Sequence, residues 1–249
     1  MKPKSPRILV LDIETSPNIA YVWGLWDQNI TPSQLVEPTR VLCWAAKWVG
    51  EKKMMYRSEH HDTREVMLDE IHHLLGEADV VVTYNGASFD IPHLNREFIE
   101  AGLTPPAPYK QVDLYLVVQR RFKFQSNKLE YVVPRVGAGS KLHNEGFGLW
   151  KKCLQGEGKA WATMRSYNLR DVEVTEALYK KLLPWIPNHP NAKLYDKTAE
   201  CPSCGHGLLQ CRGFARLRTG SYQRYQCQAC GAWSRDTKRA GKGESVQPL

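Results

Sequence analysis

Asp12 and Glu14 close an apolar run, Ile8-Leu9-Val10-Leu11-Asp12-Ile13-Glu14-Thr15. Such a run, partly β-branched and turning polar at its end, reads as a buried strand in which residues two apart share a face. The two carboxylates therefore stand side by side. At that spacing they repel each other unless a proton or a cation lies between them, so the pair either has a raised pKa or holds a metal ion. The alternative is that the strand simply ends there and its last residues are solvated.

Two other acids lie at positions where chemistry is possible. Asp79-Val80-Val81-Val82-Thr83-Tyr84 reads as a strand covered on both faces, followed by Asn85-Gly86-Ala87-Ser88-Phe89-Asp90 and a helical pattern to Gly102. Asp90 thus falls at a helix N-terminus beyond the carboxyl end of a central strand, where open α/β sheets place their sites, although Asp is also favoured there as a simple cap. Further on, Tyr167 and Asp171 are four apart on a helix and share a face one turn from each other. Each signal alone is common on surfaces.

A different donor set stands near the C-terminus. Cys201-Pro202-Ser203-Cys204-Gly205 and Cys227-Gln228-Ala229-Cys230-Gly231 are two knuckles 22 residues apart. Each turns two thiolates toward one ion, and the glycine after the second Cys allows the backbone bend that this needs. The expectation is one tetrahedral structural Zn²⁺, without which so small a unit has too little core to fold. Cys43, Cys153 and Cys211 lie outside the knuckles and read as structural. Between and just after the knuckles, Arg212, Arg216, Arg218 and Arg224 alternate with Phe214, Tyr222, Tyr225 and Trp233, a pattern suited to gripping a single strand of nucleic acid or to docking a ribbon on another surface.

The elements that must position these groups follow from length and patterning. With 249 residues, 42% of them hydrophobic, the chain holds one full α/β domain and something small. Residues 1–197 carry 26 Lys/Arg against 23 Asp/Glu, whereas 198–249 carry 8 against 3, so +5 of the net +8 falls in the last fifth. A basic excess favours a polyanionic partner, nucleic acid first. No window approaches a membrane span and Met1 to Pro6 lacks a signal-peptide core, so the expectation is a cytoplasmic protein with no membrane partner. Protein partners are not readable.

Ile19 to Trp26, Arg40 to Val49 and Met54 to Arg57 read as an antiparallel extension of the sheet around a loop with Pro32 and Pro38. A helix capped at Asp62 or Thr63 carries the stripe Val66, Ile71, Leu74 and Leu75 to Gly76. His60, His61, His72 and His73 read as its solvated face rather than a metal set. Val112 to Tyr115 leads into a helix to about Arg121. Arg120-Arg121-Phe122-Lys123-Phe124 suits phosphates and bases, or a half-buried helix end. Lys128 to Val136 and Gly146 to Lys152 read as short helices. The last helix opens near Arg165 and stops at Pro184.

In combination the weak signals acquire a shared meaning. Asp12-x-Glu14, Asn85-x-x-x-Phe89-Asp90 and Tyr167-x-x-x-Asp171, in that order, resemble the three motifs of the DEDD, or DnaQ-like, 3′→5′ exonucleases. The Tyr four residues before the last Asp matches the DEDDy branch; the DEDDh branch has a His one residue earlier, where this chain has Ser166. Asn168 and Val172 fit the third motif of that branch. The resemblance covers residues 7 to 185, and within it the chain is most similar to stand-alone, virus-associated exonucleases, which implies a host cytoplasm.

The resemblance implies an RNase H-like mixed β-sheet flanked by helices. It implies two Mg²⁺ or Mn²⁺ ions about 4 Å apart around the scissile phosphate. Asp12 would bridge them, Glu14 and Asp171 would complete the ion holding the nucleophilic water, and Asp90 would serve the other. Tyr167 would orient that water. Asn85 and Phe89 would line the pocket for the terminal nucleotide, with Phe89 as plain core the alternative. The expected division is an exonuclease domain at 1–196, a zinc ribbon at 197–235 and a disordered basic tail at 236–249. The expected substrate is the 3′ end of single-stranded DNA, with an exoribonuclease or a non-catalytic nucleic-acid-binding module as rivals.

Overall fold

A five-stranded sheet is built around β1 (Ile8–Thr15). On one side β1 pairs antiparallel with β4 (Val41–Trp48), which pairs antiparallel with β5 (Met54–Ser58). On the other it pairs parallel with β6 (Val80–Thr83), which pairs parallel with β7 (Lys110–Asp113). The computed structural model describes residues 6–143, 145–196 and 198–240. The chain divides into two compact units, Arg7–Tyr179 and a second beginning at Lys180.

The two-residue period of β1 decides what each face carries. Leu9, Leu11 and Ile13 point into a core with Trp44 of β4, Met67, Ile71 and Leu75 of α1 (Arg64–Glu77), and Leu94 and Phe98 of α2 (Asp90–Glu100). Trp44 is fully buried and its indole N–H donates to the Met67 carbonyl at 2.9 Å. Truncating a side chain of that size costs roughly 3–5 kcal/mol. Asp12 and Glu14 take the opposite face, in register with Ala45 and Cys43. There Cys43 packs with Leu149 and Cys153 of α5 (Phe147–Leu154) and with Trp161 and Met164 of α6 (Gly158–Leu182). A one-residue slip of β1 would send both acids into the apolar core instead.

Thr63 caps α1, its hydroxyl accepting from the Val66 N–H, while Val66 itself lies exposed and Met67 and Leu68 take the buried stripe. The expected strand from Ile19 to Trp26 shrinks to β2 (Ile19–Ala20), paired with β3 (Leu35–Glu37), because among the described residues no other strand lies beside residues 21–26 to complete a ladder. The last helix opens at Gly158 rather than near Arg165. Ala160, Trp161 and Met164 are buried, so a first turn and a half that reads as a glycine-rich joint is anchored by core contacts. Shorter helices α3 (Leu114–Arg121) and α4 (Leu129–Arg135) follow β7. His60 stacks on Trp161 and His72 hydrogen-bonds the Thr104 carbonyl; among the described residues no such histidine joins a potential metal set.

In the second unit β8 (Leu209–Leu217), β9 (Gly220–Cys227) and β10 (Trp233–Arg235) form a three-stranded antiparallel sheet. Of the expected tail, Asp236 and Ala240 donate backbone hydrogen bonds to Gln223 and Ser221 of β9, and 241–249 lie outside the described residues. No helix among the described residues is long and apolar enough to cross a membrane.

Candidate active site

The face of β1 that carries Asp12 and Glu14 meets α6 at Asp171, and the three residues each offer a carboxylate oxygen within 4.8 Å of the others. Asn168 sets the approach. Its amide Nδ2 donates to Asp12 Oδ2 at 2.6 Å and to the Asp12 carbonyl at 3.2 Å, while its Oδ1 accepts from the Cys43 thiol at 3.8 Å. Asn168 is fully buried, so it fixes one Asp12 oxygen and leaves the other toward the cluster. Asp90, the first residue of α2, is buried and its Oδ1 accepts from the Ile13 N–H at 3.0 Å. Its carboxylate thus reaches across to β1 as well as bonding the first N–H of its own helix. It stands outside the tight three-acid set, yet among neighbouring charges it is the one that raises the Asp12 pKa most.

The cluster is electrostatically unfavourable as it stands. Burial, then Asp90, Glu14 and Asp171, push Asp12 well above the usual carboxylate range. Burial and the Asp171 charge push Glu14 up to about 8. Burial pushes Asp90 up to about 7 against the Ile13 hydrogen bond, and it raises Asp171 against the pull of Lys141. Asp171 Oδ1 is buried without a hydrogen-bond partner. Hard oxygen donors crowded together, with one orphaned, fit a divalent cation, which satisfies the lone pairs and removes the repulsion. The set is therefore one that can bind divalent metal.

Lys141 supplies a cation that no motif announces. It reaches Asp171 Oδ2 at 2.7 Å and donates to the Tyr167 hydroxyl at 2.9 Å. Tyr167 is half-buried; burial and the Asp171 charge push its pKa up to about 12, and its hydroxyl also lowers that of Asp171. It stays protonated at neutral pH. The segment that carries Lys141 is irregular and glycine-flanked, so nothing in its pattern points to the site; the only trace is a single lysine in a stretch from Gly137 to Asn144 that holds no other Lys, Arg, Asp or Glu.

The match to a known family extends over residues 9–183, nearly the whole of the sheet and the helices that carry these acids. The chain belongs to the RNase H superfamily. No curated protein matches it in sequence. Among solved structures it is similar to the family B DNA polymerase from the hyperthermophilic archaeon Pyrobaculum calidifontis, with a TM-score of 0.53 and 20% identity over 72% of this chain. That match spans 25% of the polymerase chain, and at such identity it shows the shared fold alone.

Within this RNase H-like domain two cavities border the Lys141–Tyr167 pair. One, of about 400 Å³, is lined by Tyr84, Asn85, Tyr115, Asn127, Lys128 and Lys141 among others. The other, of about 420 Å³, is lined by Thr15, Ser16, Pro17, Phe147, Trp150 and Tyr167 together with Gly146. Lys141 and Tyr167, hydrogen-bonded to each other, line one cavity each.

Asn85 is exposed in a left-handed backbone conformation, φ 70°, which Asn tolerates better than most residues. Asp113 holds that turn, accepting from the N–H groups of Asn85, Ala87 and Tyr115. A Cβ on Gly86 would come within 2.4 Å of Thr83, so this close turn admits only glycine. Phe89 is exposed and packs edge-on against His93 rather than in the core. Neither Asn85 nor Phe89 belongs to the metal-binding set.

In the second unit Cys201, Cys204, Cys227 and Cys230 come together. The Cys201–Cys230 and Cys204–Cys227 sulfurs are each 3.7 Å apart. A tetrahedron with Zn–S bonds of about 2.3 Å has edges of about 3.8 Å, so the four sulfurs are spaced for Zn²⁺. Gly205 and Gly231 have φ of 77° and 79°, and their N–H groups bond back to Cys201 and Cys227, so the two knuckles repeat one geometry. Burial pushes the Cys227 thiol up, but the N–H groups of Cys230 and Ala229 outweigh it and bring it down to about 7. Cys211 lies exposed on β8, outside this set.

Proposed function

We propose that the chain is a metal-dependent 3′→5′ exonuclease of the DEDDy type, acting by preference on single-stranded DNA. The observation that carries this reading is the convergence of Asp12, Glu14 and Asp171, with the buried Asp171 Oδ1 lacking a partner, one helical turn from a protonated Tyr167. Asp12, Glu14 and Asp171, with Asp90 beside Asp12, would hold two Mg²⁺ or Mn²⁺ ions. Those ions would supply an activated water and charge neutralisation at the phosphate.

The protein's own groups do the rest. Tyr167 receives a hydrogen bond from Lys141 and its hydroxyl also bonds Asp171, so it is held beside that acid, where it can direct a water or a phosphate oxygen. With its pKa up to about 12 it orients rather than removes a proton at neutral pH. Lys141 holds Asp171 and Tyr167 in one arrangement and adds a positive charge where the phosphate must sit. The cavity lined by Phe147, Trp150 and Thr15 to Pro17 would take a terminal nucleoside, and Asn85, in the wall of the other cavity with Lys141, would contact the strand there.

In this reading residues 1–196 form the exonuclease domain, 197–235 the zinc ribbon and 236–249 a basic tail. The ribbon bears Arg224 over Trp233 at 4.8 Å and Arg235 over Tyr222 at 4.6 Å. From Leu208 to Arg235 it has five Lys/Arg and no acid. Such a face would hold a strand while its end is trimmed.

The test incubates 5′-labelled single-stranded DNA and RNA with protein and Mg²⁺ or Mn²⁺, beside Asp12→Ala and a truncation at Lys197. A ladder shortening from the 3′ end and abolished in Asp12→Ala is the expected result. Faster loss of RNA would make it an exoribonuclease, and binding without metal-dependent cleavage would leave a non-catalytic module. Weaker binding in the truncation alone would place strand holding in the ribbon.

A further inference from the structure

Between β1 and β4 the chain leaves the sheet as an arm whose tip exposes Tyr21, Trp23, Leu25 and Trp26 at 79%, 100%, 87% and 84%. These rings are held out by a built support. β2 pairs with β3, the Tyr21 N–H donates to the Gln34 carbonyl and the Gln34 amide donates back to the Tyr21 carbonyl. The Thr31 N–H donates to Gln34 Oε1. At the root, the Thr39 hydroxyl donates to the Ser16 carbonyl at 2.6 Å, and the Arg40 N–H to the Ser16 hydroxyl at 2.9 Å. So much apolar surface presented to water is an interaction site by its cost alone.

Charge and position select the occupant. From Pro17 to Glu37 there is no Lys or Arg, and the only charges are Asp27 and Glu37, the latter paired with Arg40 at 3.2 Å. The arm therefore has no cation with which to hold phosphates, whether of a backbone or of lipid headgroups. Its rings suit flat, uncharged π-faces. The arm is also the direct continuation of the strand that bears Asp12 and Glu14: Thr15, Ser16 and Pro17 form a wall of the cavity beside Tyr167, and Trp23 lies six residues on, at most about 20 Å along the chain.

We propose that Tyr21, Trp23 and Trp26 form a stacking platform for unpaired bases of the substrate strand next to the catalytic cavity, with phosphate contacts left to cations elsewhere. This rests on the exonuclease reading and gives it a molecular reason to prefer single strands, because a paired base has no free face to offer.

The experiment compares wild type with Trp23→Ala/Trp26→Ala on two substrates, a long single-stranded oligodeoxynucleotide and the p-nitrophenyl ester of thymidine 5′-monophosphate, which is too short to reach the arm. Affinity for the oligonucleotide is measured alongside by fluorescence anisotropy on the zinc-loaded protein without added Mg²⁺ or Mn²⁺. The expected result is a loss of about tenfold per ring in oligonucleotide affinity and in turnover of the long substrate at limiting concentration, with ester hydrolysis kept. Equal affinities of wild type and variant overturn the platform, whatever the hydrolysis shows. Self-association of wild type that disappears in the variant, read by sedimentation, also overturns it by assigning the rings to a second copy. If wild type hydrolyses neither substrate while the affinities still differ, the exonuclease reading falls and the platform stands.

Discussion

Lys141 Nζ lies 2.7 Å from Asp171 Oδ2, and the same ammonium reaches the Tyr167 hydroxyl at 2.9 Å. One cation thus spans the two α6 residues that a four-residue spacing places on a common face, and it is the group that most lowers the Asp171 pKa. Burial works against the ammonium, but Asp171 and Tyr167 outweigh it and push the Lys141 pKa up. The side chain remains charged at every pH where the enzyme would work.

Removing that charge should cost catalysis more than binding. Lys141→Met leaves Asp171 without its counter-charge and Tyr167 free to rotate, so kcat on single-stranded DNA should fall by about 10²-fold, with a smaller change in KM. Lys141→Arg should recover part of the loss, since charge returns without the same reach. A variant with unchanged kcat would show that the contact is structural only.

Asn168 presents the second test. Its amide holds one Asp12 oxygen at 2.6 Å, and Asn168→Ala would let that carboxylate rotate away from Glu14 and Asp171. Mn²⁺ affinity measured by calorimetry should fall by about 10–100-fold, the usual cost of losing a group that orients a ligand. The melting temperature should move much less than for an apolar core truncation. Unchanged affinity would mean that Asp12 is held by its other neighbours.

A third expectation concerns pH. Glu14 is pushed from an ordinary 4.5 up to about 8, and Asp90 from 3.8 up to about 7. The folded state therefore binds protons that the unfolded chain releases. Stability carried by these protons is complete near the ordinary carboxylate range and is lost as pH rises through the folded values. In chelator, wild type should lose melting temperature between about pH 5 and pH 8 relative to Glu14→Gln, and Mn²⁺ should narrow that gap. Parallel curves for the two proteins would contradict the assignment.

The ribbon gives a fourth. Withdrawal of metal, or Cys204→Ser, should remove one zinc per chain and expose the amides of β8 to β10 to exchange, because a structural zinc supplies about 10–16 kcal/mol of apparent folding free energy to so small a unit. Amides that stay protected after zinc is stripped would mean that the hairpin is held by its side chains alone.

How far the sequence reaches depends on whether a local pattern or a distant neighbour decides each feature. β1 was legible from one apolar run, and the face of Asp12 and Glu14 from the two-residue period. The knuckles were legible because spacing and glycine set their geometry locally. Lys141 was not, since its partner lies 30 residues on and no regular element carries it. Asp113 was equally silent, as two of its three backbone partners, Asn85 and Ala87, belong to a turn brought alongside only by β6–β7 pairing. The early start of α6 was masked by Gly156 and Gly158, whose low helix preference is overruled by the burial of Trp161 and Met164. The arm at residues 21–26 carried strand-forming residues, but a strand needs a neighbour and among the described residues none lies beside it.

The central claim is that these acids hold metal and remove nucleotides from a 3′ end, and a 3′-terminally labelled single strand reads it directly. With Mn²⁺ present, the label should leave first, as a mononucleotide, in wild type and not in Asp12→Ala or Asp171→Asn. Label that appears first in longer fragments, or that is released equally by wild type and the two variants, would contradict it.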